Sequence, residues 1–188
     1  MRIRESGMPP QEYWDSLFAP ERILDALLLD ESRCNVVEFG CGYGTFTLPA
    51  AQRISGKVFA LDLDQRMLDA TRINADAAGL ANVECSLQDF VADGSGLPEA
   101  AVDYAMLFNI LHLEDPIRLL REARRNLRQG GLLGIIHWIF DADTPRGPPL
   151  DIRPRPEQCR DWAQAAGFSP LGGTINLPPY HYGLVVKR

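Results

Sequence analysis

Short apolar runs alternate with longer amphipathic stretches between residues 34 and 138, which is typical of repeated strand and helix units. Five runs rich in Val, Ile, Leu or Phe predict strands: Cys34–Phe39, Lys57–Asp62, Val83–Leu87, Asp103–Asn109 and Leu132–Trp138. The stretches between them with apolar residues at helical spacing predict helices: Thr45–Ile54, Gln65–Ala78 and Pro116–Arg128. This alternation predicts an α/β fold with a doubly wound, parallel sheet covered on both faces.

The segments before residue 34 and after residue 138 lack this alternation of strand and helix patterns. Upstream, Glu21–Leu29 predicts a helix packed on the sheet, and the aromatic residues of Gln11–Phe18 either join the core or cover a site. Downstream, eight of the fourteen prolines lie beyond Phe140, which predicts a loop at 141–156. A helix, Glu157–Ala166, and an antiparallel pair of strands, Phe168–Asn176 and Tyr182–Lys187, are expected to close the fold. Residues 1–188 are therefore expected to form one domain, with 1–30 as a helical cap.

The charge balance narrows the range of partners. Lys and Arg number 19 and Asp and Glu number 25, which gives a net charge of −6 and argues against nucleic acid as a partner. Five arginines between residues 118 and 128 surround Glu122 at helical spacing, which predicts a solvated helix face. Because no apolar stretch has the form of a signal peptide or a membrane span, we expect a cytoplasmic chain without a membrane partner.

The four cysteines are not paired by spacing. They have no C-x-x-C motif, and no His or carboxylate recurs around them at ligand spacing. We therefore expect reduced thiols and no metal site.

A glycine-rich loop follows the first predicted strand. Glu38 lies near the end of that strand, and Gly40, Gly42 and Gly44 come next at alternate positions. Glycines here allow a sharp turn and let a ligand approach the backbone amides at a helix start. A dinucleotide fingerprint would be G-x-G-x-x-G. In this loop the third glycine comes one residue early, and Thr45 stands where the fingerprint has its third glycine.

The acidic-x-G-x-G-x-G run resembles motif I of class I S-adenosylmethionine-dependent methyltransferases of the small-molecule type. The resemblance extends over about half the chain and implies a Rossmann-like, mostly parallel seven-stranded sheet with an antiparallel last strand. It also implies S-adenosylmethionine as the cofactor, held at Glu38 and the three glycines. A carboxylate suits a ligand with an ammonium and a sulfonium, whereas it would repel a pyrophosphate.

Two more strand ends match the resemblance. Asp62 follows the glycines by about 20 positions, which fits one helical crossover, and its two oxygens suit a ribose diol. The neighbouring Asp64 is an alternative, although its position also suits a helix N-cap. Asp89 and Phe90 resemble the adenine motif, with Leu63 as an apolar wall for the purine; Asp89 also suits a simple turn cap.

The carboxyl ends of the fourth and fifth strands supply the remaining candidates. Asn109 is expected at the junction of cofactor and substrate, because ligands of open parallel sheets bind at this edge. His112 follows in a Leu-His-Leu sequence, which favours a packed, hydrogen-bonded ring over a general base. His137 and Trp138 are the candidate substrate-binding pair, with core packing as the alternative.

The expected reaction is displacement of the sulfonium methyl by a nucleophile on a small-molecule acceptor. No catalytic residue is assigned, and the acceptor and the oligomeric state stay open. Two other classes remain: an NAD-type Rossmann oxidoreductase and a non-catalytic S-adenosylmethionine-binding module. Asn176-Leu177-Pro178-Pro179-Tyr180 is similar to the N-P-P-Y motif of amino-methyltransferases, but a Leu interrupts it and it lies before the last strand.

Overall fold

The computed structural model describes residues 8–188; residues 1–7, the start of the expected cap, lie outside them. The described helices are α1 (Gln11–Asp15), α2 (Pro20–Ala26), α3 (Thr47–Arg53), α4 (Gln65–Ala77), α5 (Pro116–Asn126) and α6 (Pro156–Ala165). The strands are β1 (Val36–Phe39), β2 (Val58–Asp62), β3 (Val83–Leu87), β4 (Val102–Phe108), β5 (Leu127–Trp138), β6 (Ser169–Pro170), β7 (Ile175–Leu177) and β8 (His181–Lys187).

The strands form one mixed sheet in the order β3-β2-β1-β4-β5-β8-β6, and β7 also pairs with β8. Strands β1 to β5 are mutually parallel, and β8 runs antiparallel to β5. This confirms the predicted fold class, although the sheet has eight strands among the described residues. The expected sixth strand, Phe168–Asn176, is interrupted at Gly172, whose φ of +85° turns the chain between β6 and β7.

Each face of the sheet carries its own apolar core. Helices α5 and α6 bury Leu120 and Ala163 against one face, and α2 and α3 bury Leu24 and Ala50 against the other. Burial of apolar surface contributes about 25 cal/mol per Å², so these two layers supply most of the driving force for the fold. Among the described residues, none of the helices combines the length and apolar character that a bilayer crossing requires.

Helix α5 is shorter than predicted. We expected it to reach Arg128, but it ends at Asn126. Leu127 is fully buried and pairs with Val102 of β4, so strand pairing takes over where the helical pattern alone would continue.

The topology places a cleft at one edge of the sheet. Phe39 of β1 pairs with Leu61 of β2 and with Leu107 of β4, so these three strands end at the same level. The strand order reverses between β1 and β4, and open α/β sheets bind ligands at such a point, outside the carboxyl ends of the strands.

Candidate functional site

A cavity of about 550 Å³ lies at this edge of the sheet, within the usual range for small-ligand sites. Its walls come from the glycine loop, the ends of β2 and β4, and the N-terminal segment. We call it the main cavity, and its predicted lining residues include Glu38, Gly40, Gly42, Asp62, Leu63, Asn109 and Trp138.

The glycine loop needs left-handed backbone at every second residue. Gly40, Gly42 and Gly44 have φ values of +78°, +57° and +82°, which residues with a Cβ rarely adopt. At Gly40 a Cβ would also lie 3.2 Å from Cδ1 of Ile110. The loop therefore presents bare backbone to the main cavity at Gly40 and Gly42.

Asp62 ties the glycine loop to the end of β2. One carboxylate oxygen accepts a 2.9 Å hydrogen bond from the Gly42 amide, and the other accepts one of 2.9 Å from the Asp64 amide. Burial raises the pKa of Asp62 in spite of these bonds. Asp64 also lines the main cavity, and its side chain caps α4 by accepting from the Arg66 amide. Asp62 and Asp64 thus both line the main cavity, and Asp64 is also the N-cap of α4. Asp62 is the more enclosed of the two carboxylates.

Glu38 is a buried carboxyl group in the wall of the main cavity. It is 2% exposed, and the hydroxyl of Thr47 donates a hydrogen bond to it. Burial, together with the charge of Asp62, raises the pKa of Glu38 to about 8. Because a nearby positive charge favours the ionised form, this site suits a cation.

Asn109 lines the main cavity and carries a buried side-chain oxygen, Oδ1, that is not hydrogen-bonded among the described residues. Its backbone holds a φ of +57°. The Asn109 amide donates a 2.8 Å hydrogen bond to the carbonyl of Ile136, which fixes this strained residue against β5. A buried polar atom without a partner is costly, so Asn109 is a strained position in the wall of the main cavity.

The predicted adenine pair lies beneath the loop rather than in the wall of the main cavity. Oδ1 of Asp89 accepts hydrogen bonds from the amides of Val91 and Ala92, so this carboxylate caps a turn. Phe90 is buried edge-on against Phe39, with ring centroids 5.5 Å apart. Neither residue belongs to the lining of the main cavity.

A second cavity of about 510 Å³ adjoins the main one. His112 and Leu113 line both cavities and form the wall between them. Most of the other residues of the second cavity come from the segment after β5 and from α6, and include Phe140, Ile152, Arg155 and Trp162. Val91 from the segment after β3 completes the wall, with Leu111 and Glu114 on either side of the shared residues. The sequence did not predict this cavity, because its walls are far apart along the chain.

The predicted substrate-binding pair divides between wall and core. Trp138 lines the main cavity, whereas His137 is fully buried behind it. Nε2 of His137 lies 3.3 Å from Nδ1 of His112, so His137 reaches the cavities through that ring. His181 packs on Trp138 with ring centroids 4.3 Å apart.

The N-terminal segment covers the glycine loop. Met8 and Trp14 line the main cavity, and the hydroxyl of Tyr43 donates a 2.9 Å hydrogen bond to the carbonyl of Pro9. Trp14 also contacts Phe18, with ring centroids 4.9 Å apart. The helical spacing of aromatic residues in Gln11–Phe18 indicated that this segment either covers a site or packs into the core.

The arrangement fits a cationic sulfur nucleoside. The buried carboxyl group of Glu38, the half-buried carboxylate of Asp62 and the side chain of Asn109 line one cavity floored by the glycine loop. Within residues 8–188, no group of three or more His, Cys, Asp or Glu side chains is placed to hold a metal ion.

The chain is similar in sequence and in fold to known proteins. Residues 36–131 match a family model described as a methyltransferase domain. The chain is similar to the crystal structure of a SAM-dependent methyltransferase from Aquifex aeolicus, with a TM-score of 0.82 and 25% identity, covering 95% of this chain and 93% of that one.

Two curated relatives act on small acids by name. Aklanonic acid methyltransferase DauC of Streptomyces sp. (strain C5) is 30% identical over 146 residues, which are 71% of this chain and 66% of that protein. Trans-aconitate 2-methyltransferase of Deinococcus radiodurans is 30% identical over 128 residues, 66% of this chain and 45% of that protein.

The curated relatives are longer than this chain. The first three, one of them a ribosomal protein L11 methyltransferase, are matched over 44% to 66% of their own length. The family match nevertheless spans the glycine loop, both acidic strand ends and Asn109. With its fold and cleft, this places the chain in the family of class I methyltransferases whose cofactor is S-adenosylmethionine.

Proposed function

We propose that this protein transfers a methyl group from S-adenosylmethionine to a small-molecule acceptor in the cytoplasm. The observation that carries the proposal is the pairing of a buried carboxyl group, Glu38, with a half-buried one, Asp62, in the wall of one glycine-floored cavity. A cationic ligand favours the ionised form of both groups, whereas an anionic pyrophosphate would disfavour it.

Each residue of the main cavity has a distinct task in this proposal. Glu38 faces the positive charges of the cofactor, and Asp62 accepts from hydroxyl groups while it holds the loop through Gly42. Asn109 adds a polar side chain to the wall at the end of β4. Gly40 and Gly42 keep the backbone open to the cavity, Gly44 turns the loop with its φ of +82° outside the cavity lining, and Leu63 adds an apolar wall.

The chemistry itself needs little from the protein. S-adenosylmethionine supplies an activated methyl group on a sulfonium, so the main demands on the chain are alignment and exclusion of water. Trp14 and Met8 cover the main cavity from the N-terminal side. The second cavity meets the main one at His112 and Leu113 and has room for an acceptor.

The nature of the acceptor is the finer part of the proposal. The second cavity is a concave pocket for a small ligand, and two relatives are named for small acids. The net charge of −6 argues against a nucleic acid acceptor.

A thermal-shift comparison tests the cofactor assignment. At about 100 times the dissociation constant a ligand adds about 2.7 kcal/mol of stability, so we expect S-adenosylmethionine and S-adenosylhomocysteine to raise the Tm by several degrees and NAD to leave it unchanged. The reverse ranking would support an oxidoreductase. Binding without formation of S-adenosylhomocysteine, across a broad panel of acceptors, would instead support a non-catalytic module.

A further inference from the structure

Both ring nitrogens of His137 are engaged inside the core. Nδ1 accepts a 3.0 Å hydrogen bond from the backbone amide of Trp138, and Nε2 lies 3.3 Å from Nδ1 of His112. A backbone amide can only donate, so Nδ1 of His137 carries no proton. Burial lowers the pKa of His137 well below its ordinary value and keeps the ring neutral. Its single proton therefore lies on Nε2.

This proton fixes the tautomer of His112. Since Nε2 of His137 donates, Nδ1 of His112 must accept, and a neutral His112 carries its own proton on Nε2. Burial lowers the pKa of His112 to about 4, so the ring stays neutral at pH 7. Its Nε2 makes no hydrogen bond within the described residues.

The outward nitrogen of His112 is thus a donor at the junction of the two cavities, whose shared wall it forms with Leu113. It cannot serve as a base, because the nitrogen that faces outward already holds a proton. Protonation at Nδ1 would bring two N–H groups face to face. His112 is also the one histidine in the walls of these two cavities within residues 8–188.

A site with a fixed donor in place of a base suits an acceptor that is ionised beforehand. Carboxylic acids have ordinary pKa values of about 4 and are anionic at pH 7, whereas alcohols and ammonium groups must first lose a proton. The second cavity adds a cation to its wall, since the guanidinium of Arg155 lies 3.6 Å above the ring centre of Phe140. Glu114 and Asp151 also line this cavity, and both are exposed at its rim.

We propose, building on the function proposed above, that the acceptor is a small organic carboxylate methylated on oxygen, and that His112 Nε2–H binds that carboxylate. One carboxylate oxygen accepts the hydrogen bond from His112 while the other attacks. The attacking oxygen forms a bond to the methyl carbon, the carbon–sulfur bond breaks, and its electron pair stays on sulfur. The product is a methyl ester, and no proton moves. His137 is a positioning residue that acts through His112.

Spectroscopy tests the tautomer without any turnover. Long-range proton–nitrogen correlation spectra of the histidine-labelled protein with S-adenosylhomocysteine are expected to show Nε2–H on both rings from pH 5.5 to 8. A proton on Nδ1 of His112, or a titration of His112 inside that range, would overturn the donor assignment. His137→Gln can still accept from Trp138 and donate to His112, so it should preserve the tautomer, whereas His137→Phe should release it.

Kinetics test the acceptor class. Matched acids and amides, benzoate with benzamide and mono-, di- and tricarboxylates with their amides, are assayed by release of S-adenosylhomocysteine. We expect turnover with acids alone and a kcat independent of pH between 6 and 8. His112→Leu should lower kcat/KM about 10- to 100-fold, the value of a hydrogen bond to a charged group, and His112→Gln should recover most of it.

The two proposals fail in different ways. A protein that does not bind S-adenosylmethionine contradicts the proposed function and leaves the tautomer measurement intact. A protein that binds it but methylates only alcohols or amines, with a rate that rises with pH, contradicts the carboxylate proposal alone. Cofactor binding with no turnover of any carboxylate in the panel would contradict it as well.

Discussion

The hydroxyl of Thr45 donates a 2.6 Å hydrogen bond to the carboxylate of Asp15, thirty residues earlier in the chain. Thr45 directly follows the glycine loop, and Asp15 ends α1. This bond fastens the N-terminal cover over the main cavity, beside the contact of Tyr43 with Pro9. The cover therefore depends on the loop that the cofactor is proposed to contact.

Asp15→Ala should weaken cofactor binding with little effect on folding. The change removes the bond from Thr45 and also a 3.3 Å bond from Gln11 within α1. Only the first joins the cover to the glycine loop, and its loss costs about 1 kcal/mol, so we expect about a fivefold higher dissociation constant for S-adenosylhomocysteine by calorimetry. Ser16→Ala is the matched control, because that exposed hydroxyl bonds only the neighbouring carbonyl of Tyr13. Equal affinities for the two variants would show that the cover is irrelevant to binding.

Asp62→Asn should impair both the loop and the cofactor site. An amide can offer one acceptor oxygen, so the amide of Gly42 or of Asp64 loses its partner. We expect cofactor affinity to fall about 10- to 100-fold, measured by calorimetry, with circular dichroism unchanged. Asp69→Asn on the exposed face of α4, where the carboxylate pairs with Arg72, should bind like the parent protein. Undiminished affinity in Asp62→Asn would remove Asp62 from the site.

Cofactor binding should release a proton from Glu38. The free protein holds that carboxyl group protonated up to pH about 8, and the bound cation favours its ionised form. Affinity should therefore rise with pH by up to about tenfold per unit between pH 5.5 and 7. Calorimetry at pH 6.5 in buffers of different ionisation enthalpy measures the released proton directly. Glu38→Gln should release about one proton fewer, and an identical count in both proteins would rule out this coupling.

Arg153→Lys should loosen the proline-rich loop. Arg153 is a buried residue with 7% of its surface exposed. Its guanidinium donates two hydrogen bonds to the carbonyl of Pro148 and one each to the carbonyls of Ile139 and Asp141 and the hydroxyl of Thr144. An ammonium cannot reproduce this fork, and we expect a loss of about 2 kcal/mol.

Limited trypsin digestion checks this loss locally, because cleavage after Arg146 should become faster in Arg153→Lys. Arg160→Lys serves as the control, since the guanidinium of Arg160 donates a single, exposed hydrogen bond, to the hydroxyl of Thr174. Similar cleavage rates for both variants would mean that Arg153 does not hold the loop.

The sequence predicts most of the frame because local patterns determine it. Strand β3 was predicted at its observed bounds, since Val83, Cys85 and Leu87 alternate with the polar residues Glu84 and Ser86. Glu38, Asp62 and Asn109 were expected to meet because parallel strands end at a common edge, and all three line the main cavity.

The remaining features depend on contacts between distant segments. The second cavity brings Val91, Phe140 and Trp162 together from three parts of the chain. Likewise, His112 in the loop between β4 and α5 contacts His137 in β5, 25 residues later. No local sequence pattern indicates this contact. For Asp89 the sequence left two roles open, an adenine contact and a turn cap. The positions of the Val91 and Ala92 amides, which the sequence does not reveal, show that it caps a turn.

The partition between the cavities consists of just two side chains, His112 and Leu113, in the part of the chain described. On the proposed carboxylate chemistry, an acceptor in the second cavity presents to His112 the acid group that lies at this boundary. A polyacid would therefore place one of its carboxylates there at a time, and the expected product is a monoester.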